Sequence, residues 1–412
     1  MPEASFRLFA LVFMPGSRRL IQRRNISCRP QNQSRVFESN VTTVRTAIGA
    51  DPSTHGASKP LSSIPKLAKE IATMTSTNLW RRAIGPVALA TSFLLPVAVA
   101  QAAPAEHHAD AAYFPAPVYV SLQKSGTIEK FPDQTVYPGF PGAHYLALSP
   151  DGKTLVVSGF KTGQVYIADA KTGKKRATLS IGKVVQGVKI DPQGNYALAV
   201  NASGGRVAVI DLAHAKVVQS IAVGHKPHNV RFSRDGRLAY VTVQGDDDLA
   251  VIDMATLKKV ESIPVTGLDG PHNLDLSADG RRLWIRSHPA KATDTGHVAM
   301  MNLAQEKVVN SLAVGPFHGG VDLEPTGAYV LATDIGGHTV DVMDRNALTV
   351  ITRITVGDGP HGVRMSDDGH WAYVTATRGN ELDVIDMRNL KLVDRIETKG
   401  KFPFWLALDG NR

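Results

Sequence analysis

From about residue 117 onward, hydrophobic and polar positions alternate in short runs, each broken by a turn signal. Lys226 to Asp253 (KPHNVRFSRDGRLAYVTVQGDDDLAVID) is the clearest instance. A Pro-His pair leads into an alternating strand carrying Val230 and Phe232, and Arg234-Asp235-Gly236 supplies a turn. Leu238, Tyr240 and Val241 mark a second strand, and a polar loop leads to a third that ends on Asp253. Period-two hydrophobicity interrupted by Asp-Gly predicts a β-hairpin, because this dipeptide adopts the positive φ that a tight turn needs.

The same pattern recurs. Turns fall at Pro150-Asp151-Gly152, Pro192-Gln193-Gly194, Arg234-Asp235-Gly236, Ala278-Asp279-Gly280, Pro325-Thr326-Gly327 and Asp367-Asp368-Gly369, with glycines 42, 42, 44, 47 and 42 positions apart. After each third strand comes a short fourth one, as in Lys216 to Ile221 or Lys391 to Ile396. Four strands in roughly 40 to 45 residues is the length of one propeller blade. One such sheet has two faces to cover, and radial stacking buries both. The ends set the blade count. Phe402 to Gly410 aligns with the first strand of a blade and then stops, whereas Val118 to Phe131 reads as strands two and three of a blade lacking its first. The expected architecture is therefore all-β: a seven-bladed β-propeller of four-stranded antiparallel blades, the last closed by strands from both termini.

Tyr240-Val241-Thr242 and Tyr373-Val374-Thr375, the Gly-x-x-Pro-His stretches ending at His228 and His361, and the Val-Ile-Asp endings at Asp211, Asp253 and Asp386 resemble the YVTN family of β-propellers. The resemblance spans about 300 residues. It implies an exported or surface propeller acting as a binding or scaffolding module. Related propellers serve as haem-d1 or copper domains and as lactonases. The repeat around Gly280 departs from the pattern: Ile285-Arg286-Ser287-His288-Pro289 replaces the YVT core, and a longer loop, 290–296, follows.

Charge and composition change the picture mainly at the N-terminus. The formal charge is +9, but 13 of 46 Lys/Arg and only 4 of 37 Asp/Glu fall in residues 1–102, which leaves 33 of each in the remainder. Nucleic-acid binding is thus not expected, since it needs clustered basic side chains. Residues 74–102 read as a secretory signal: Arg81 and Arg82, an apolar run from Ile84 to Val99, and an Ala-Gln-Ala cleavage site. Residues 1–73 are either an organelle-targeting segment or an upstream stretch ahead of the true start at Met74, the second being favoured. Residues 103–116 form a flexible linker, and 117–412 the propeller. The expected location is periplasmic or secreted, as a monomer with no membrane span in the mature chain. The single cysteine, Cys28, precedes the signal, so thiolate metal sites and cysteine nucleophiles are excluded from the mature chain.

Alignment on the turns puts His144, Gln186, His228, His272, His361 and Phe404 at the mouth of the central channel, with His318 one residue early beside Gly319. Loops after the second strands lie on the same face and contribute Lys161, Asn201, Gln244, Asp246 to Asp248, Arg286, His288, Asp334, His338 and Arg378. The expected ligand-binding set is His144, Gln186, His228, His272, His318, His361, Arg286 and Arg378. Converging neutral imidazoles suit copper, zinc, nickel or haem iron, and His228, His272 and His361 are the first candidates for a metal. The competing reading is structural, with Pro-His capping the start of each inner strand. Three functions follow: a non-enzymatic module binding a small ligand or a protein partner, a transition-metal- or haem-handling propeller, or a lactonase-like hydrolase using rim histidines with Arg286 or Arg378.

Overall fold

The computed structural model describes residues 109–325 and 327–408. The expected export signal and the upstream segment lie outside them. Within them stand 28 strands in seven four-stranded antiparallel sheets. The inner strands of blades 1 to 6 are Ala143–Leu148, Val185–Ile190, Pro227–Phe232, Pro271–Leu276, Val321–Leu323 and Pro360–Met365. Blade 7 takes its inner strand, Pro403–Leu408, from the C-terminal end and the other three, Val118–Leu122, Thr127–Phe131 and Thr135–Pro138, from the start of the described chain. The seven inner strands touch in cyclic order, so the ring is closed. None of the described helices is long and apolar enough to cross a membrane.

The turn chemistry is as the sequence implies. All six turn glycines have φ between +69° and +87°, where a Cβ is strained. Beside four of them a serine hydroxyl donates to the turn aspartate, as in Ser233 to Asp235 (2.6 Å) and Ser366 to Asp368 (2.5 Å). The aspartates that close the third strands accept backbone N–H groups of the next turn, from His214 at Asp211 and Thr256 at Asp253.

One expectation needs refining. Simple alternation suits a sheet with one wet face, but the second and third strands of each blade are buried on both faces, and only the fourth is largely exposed. The alternation instead sorts residues between neighbours. In Leu238–Val243, Ala239, Val241 and Val243 pack against blade 2, whereas Tyr240 packs against blade 4. Apolar clusters of this kind fill each inter-blade space. Trp284 is wholly buried between blades 4 and 5, and Trp405 is buried beside blade 1.

Candidate functional site

The local device behind the channel mouth is a β-bulge. In blade 3, Pro227 pairs with Val243 and Val230 with Val241, so His228 and Asn229 together oppose the single Thr242. The same shift occurs at His144-Tyr145, Gln186-Gly187, His272-Asn273, His361-Gly362 and Phe404-Trp405. A bulge re-aims its side chains, and here it presents a ring at the channel mouth in five blades and Gln186 in blade 2. A hydroxyl on the second strand anchors it. Thr242 Oγ1 accepts from Asn229 N (3.0 Å) and donates to His272 O of the next blade (2.7 Å). Thr333, Thr375 and Ser121 likewise donate to the rim carbonyls of His361, Phe404 and His144.

The rings form a nearly continuous belt. His228 and His272 stack at 3.4 Å between centroids, and His272 meets His318 at 4.8 Å. His318 meets His361 at 5.2 Å, His361 meets Phe404 at 4.0 Å, and Phe404 meets His144 at 3.7 Å. His144 is committed on both nitrogens: Nδ1 accepts from Gln123 Nε2 (2.8 Å) and Nε2 donates to Gln186 Oε1 (2.9 Å). By contrast, Nδ1 of His228, His272 and His318 is buried with no hydrogen-bond partner among the described residues. Blade 4 adds a sixth imidazole. His288, from the loop that follows Arg282–Ser287, stacks on His318 at 4.3 Å and lies 5.0 Å from His272.

The ligating atoms of His272, His288 and His318 all lie within 4.8 Å of one another. The repeat register puts His228, His272 and His361 forward, and the convergent trio shares only His272 with that set. The reason is where the side chains start. His228 and His361 sit on bulged strands in the buried throat, whereas His288 and His318 come from loops at the half-buried lip. His318 precedes Gly319-Gly320, and the inner strand of blade 5 begins only at Val321. Nδ1 of His288 donates to the Pro289 carbonyl (3.2 Å), which leaves Nε2 as its lone-pair nitrogen.

The two arginines stand apart from the rings. Arg286, expected on a loop, lies within strand Arg282–Ser287 and is fully buried. It occupies the place that Thr242 has in blade 3, opposite the His272-Asn273 bulge. Its Nη1 donates to His297 O (3.3 Å), and its Nε and Nη2 find no hydrogen-bond partner among the described residues. Arg378 is exposed and engaged by Asp358 (2.8 Å) and the Ile335 carbonyl (2.8 Å). The aspartates at 246–248 diverge: Asp246 takes the N–H and Nδ1 of His225, while Asp247 caps Gly270 N.

Electrostatics keep the belt neutral. Burial first, then the neighbouring imidazoles, hold His228, His272 and His318 well below the usual histidine range. Burial and then His361 do the same to His144, and burial brings His361 down to about 3. His288 is also lowered, chiefly by burial. Neutral imidazoles have the free lone pairs that a metal requires. Burial also lowers Arg286 to about 10, against the pull of Asp334 and Asp341, so it stays charged at neutral pH.

Comparison with known proteins adds the following. The cytochrome D1 heme domain family model matches residues 152–288, about a third of the chain. This stretch runs from the first turn glycine to His288, and the YVTN resemblance rests on the repeat alone. No curated protein gives a significant sequence match. Among solved structures, Kuenenia stuttgartiensis hydrazine synthase is similar at 23% identity and a TM-score of 0.59, over 65% of this chain and 89% of that one. A Desulfotomaculum acetoxidans protein of unknown function has 14% identity and a TM-score of 0.61, over 72% and 100%. A Bacteroides fragilis protein provisionally assigned as a 6-phosphogluconolactonase has 17% identity and a TM-score of 0.60, over 72% and 98%. These likenesses establish the propeller fold.

Proposed function

We propose that this chain is an exported propeller that holds a transition-metal ion, copper or zinc, through His272, His288 and His318. The lip leaves an open coordination position for a small ligand. The observation that carries the reading is the convergence of three neutral imidazoles within 4.8 Å. At that spacing a central ion would stand at most about 2.8 Å from each nitrogen, so inward movement of no more than about 0.7 Å reaches the usual 2.0–2.1 Å. The His288 and His318 rings must also turn out of their stack. Three histidines and no carboxylate favour copper or zinc over calcium or magnesium.

The haem named by the matching family model does not fit inside this mouth. Rings at 3.4 to 5.2 Å from their neighbours already fill it, and no haem chemistry is assigned to the chain. A hydrolase reading has less support, because Arg286 is buried between blades and Arg378 is engaged by Asp358. The chain is read as a binding module in the periplasmic or secreted space, consistent with the signal-like stretch 74–102.

Metal analysis of the full chain after incubation with Cu(II) or Zn(II) tests this. We expect one ion per chain and, for copper, a visible ligand-field band. His288→Ala should weaken binding by at least about tenfold, while Gln186→Ala should leave it within about twofold. Retention of full affinity by His288→Ala would refute the assignment.

A further inference from the structure

The inner strands carry a second constellation three residues beyond the rim, at Ala147, Lys189, Arg231, Asp275, Asp322, Arg364 and Ala407. A belt of hydrogen bonds separates it from the imidazoles. Tyr145 Oη and Asn229 Nδ2 both donate to Asn273 Oδ1 (2.9 and 2.7 Å), and Asn273 Nδ2 donates to Gly319 O (2.8 Å). Below this belt the two carboxylates are taken. Asp275 pairs with Arg231 Nε (3.0 Å) and accepts from Leu323 N, and Asp322 pairs with Arg364 Nη1 (2.9 Å) and accepts from Met365 N.

Lys189 is left over. Among the described residues its ammonium has no hydrogen-bond or ion-pair partner. Its flank of the ring is completed by Ala147 and Ala407, which offer it no side-chain acceptor. It is half-buried and borders a cavity. That cavity, about 30 Å³, is lined by Lys189, Arg231, Arg364, Asn229, Ala147 and Ala407 among others. Lys189, Arg231 and Arg364 thus line one polar space, and no carboxylate is among its described lining residues.

We propose that this cavity binds one small monovalent anion, of the size of chloride or formate, held by Lys189 with Arg231 and Arg364. About 10–15 Å³ on the same measure holds one water, so the space takes two or three heavy atoms. Burial first, then Arg231 and Arg364, hold the Lys189 ammonium well below the usual lysine range, and an anion would restore its charge. Asp275 and Asp322 already balance the arginines, so the site acts through Lys189. It is independent of the metal at the lip.

The test is thermal unfolding of the full chain at pH 7.5 with a chelator present, titrated with sodium chloride or sodium formate and compared with sodium gluconate at equal ionic strength. Chloride and formate should raise Tm saturably by a few degrees, following simple ligand linkage, and gluconate should not. Lys189→Met should lose the response, with apparent affinity at least about tenfold weaker, and its Tm without small anions should be no lower than wild type. Lys189→Gln serves if the methionine variant does not fold. An equal shift in gluconate, or an undiminished response in the folded variant, would overturn the proposal.

Discussion

At the scale of single residues, the channel mouth is a set of imidazoles kept uncharged. His144, His228, His272, His318 and His361 all have depressed basicity in the folded protein. The unfolded chain therefore binds more protons than the folded one as pH falls below about 6.5, and stability drops with pH in that range. Each strongly shifted histidine contributes a slope of up to about 1.4 kcal/mol per pH unit. Buried carboxyls oppose them: burial raises Asp383 to about 7 and also raises Glu129, Asp191, Asp334 and Asp341, so they add stability as pH falls. Because His144, His228, His272 and His318 are held well below their usual range, the metal-free protein should lose stability between pH 7 and pH 5, measured as a falling urea midpoint. A flat profile across that range would mean that the imidazoles are solvated. The register of His144, His228, His272 and His361 was legible from the turns. Partner atoms were not, because whether a ring nitrogen meets a side chain or nothing depends on neighbours from other blades.

Among elements, the decisive unit is the bulge with its hydroxyl. The YVT motif is visible in the sequence, but the task of its threonine emerges only when blades are adjacent. Thr242 bonds the bulge in its own blade and the His272 carbonyl in the next. Thr242→Val preserves shape and removes both interactions, leaving a buried N–H short of its partner. Loss of a buried hydrogen-bonded group costs about 1–3 kcal/mol, readable as a lower urea midpoint with little change in m. Blade 4 shows what happens when the hydroxyl is replaced. Arg286 fills that place and runs between blades 4 and 5 towards Asp334 and Asp341. The departure from the repeat was apparent in the sequence, and so was His288 on the rim face. Their consequence, a sixth imidazole completing a convergent trio, was hidden, because a loop of different length has no counterpart in the repeat register.

For the whole molecule, closure depends on one strand. Pro403–Leu408 pairs with Val118–Leu122, so Leu406 lies opposite Val120 and Leu408 opposite Val118. Phe404 also bridges His361 and His144 across the seam. Truncation after Lys401 should unfold far more than the missing segment, because blades 6 and 1 each lose the surface that covers them. Far-UV circular dichroism and limited proteolysis check this. A truncated chain melting within a few degrees of the intact one would show that the ring does not need its seam.

Sequence alone determined the blade, the number of blades and the way the ring closes. All three follow from local rules: Asp-Gly turns, strands of fixed length, and sheets that cannot stand with two bare faces. It also determined which positions face the axis, since register is local too. Tertiary structure decided which of those positions act together. His272, His288 and His318 come from two blades and a loop of irregular length, and Lys189 has no hydrogen-bond or ion-pair partner among the described residues, Asp275 and Asp322 being drawn to arginines on other blades. Distances between strands far apart in the chain are set by packing across the ring, and no one repeat carries that information.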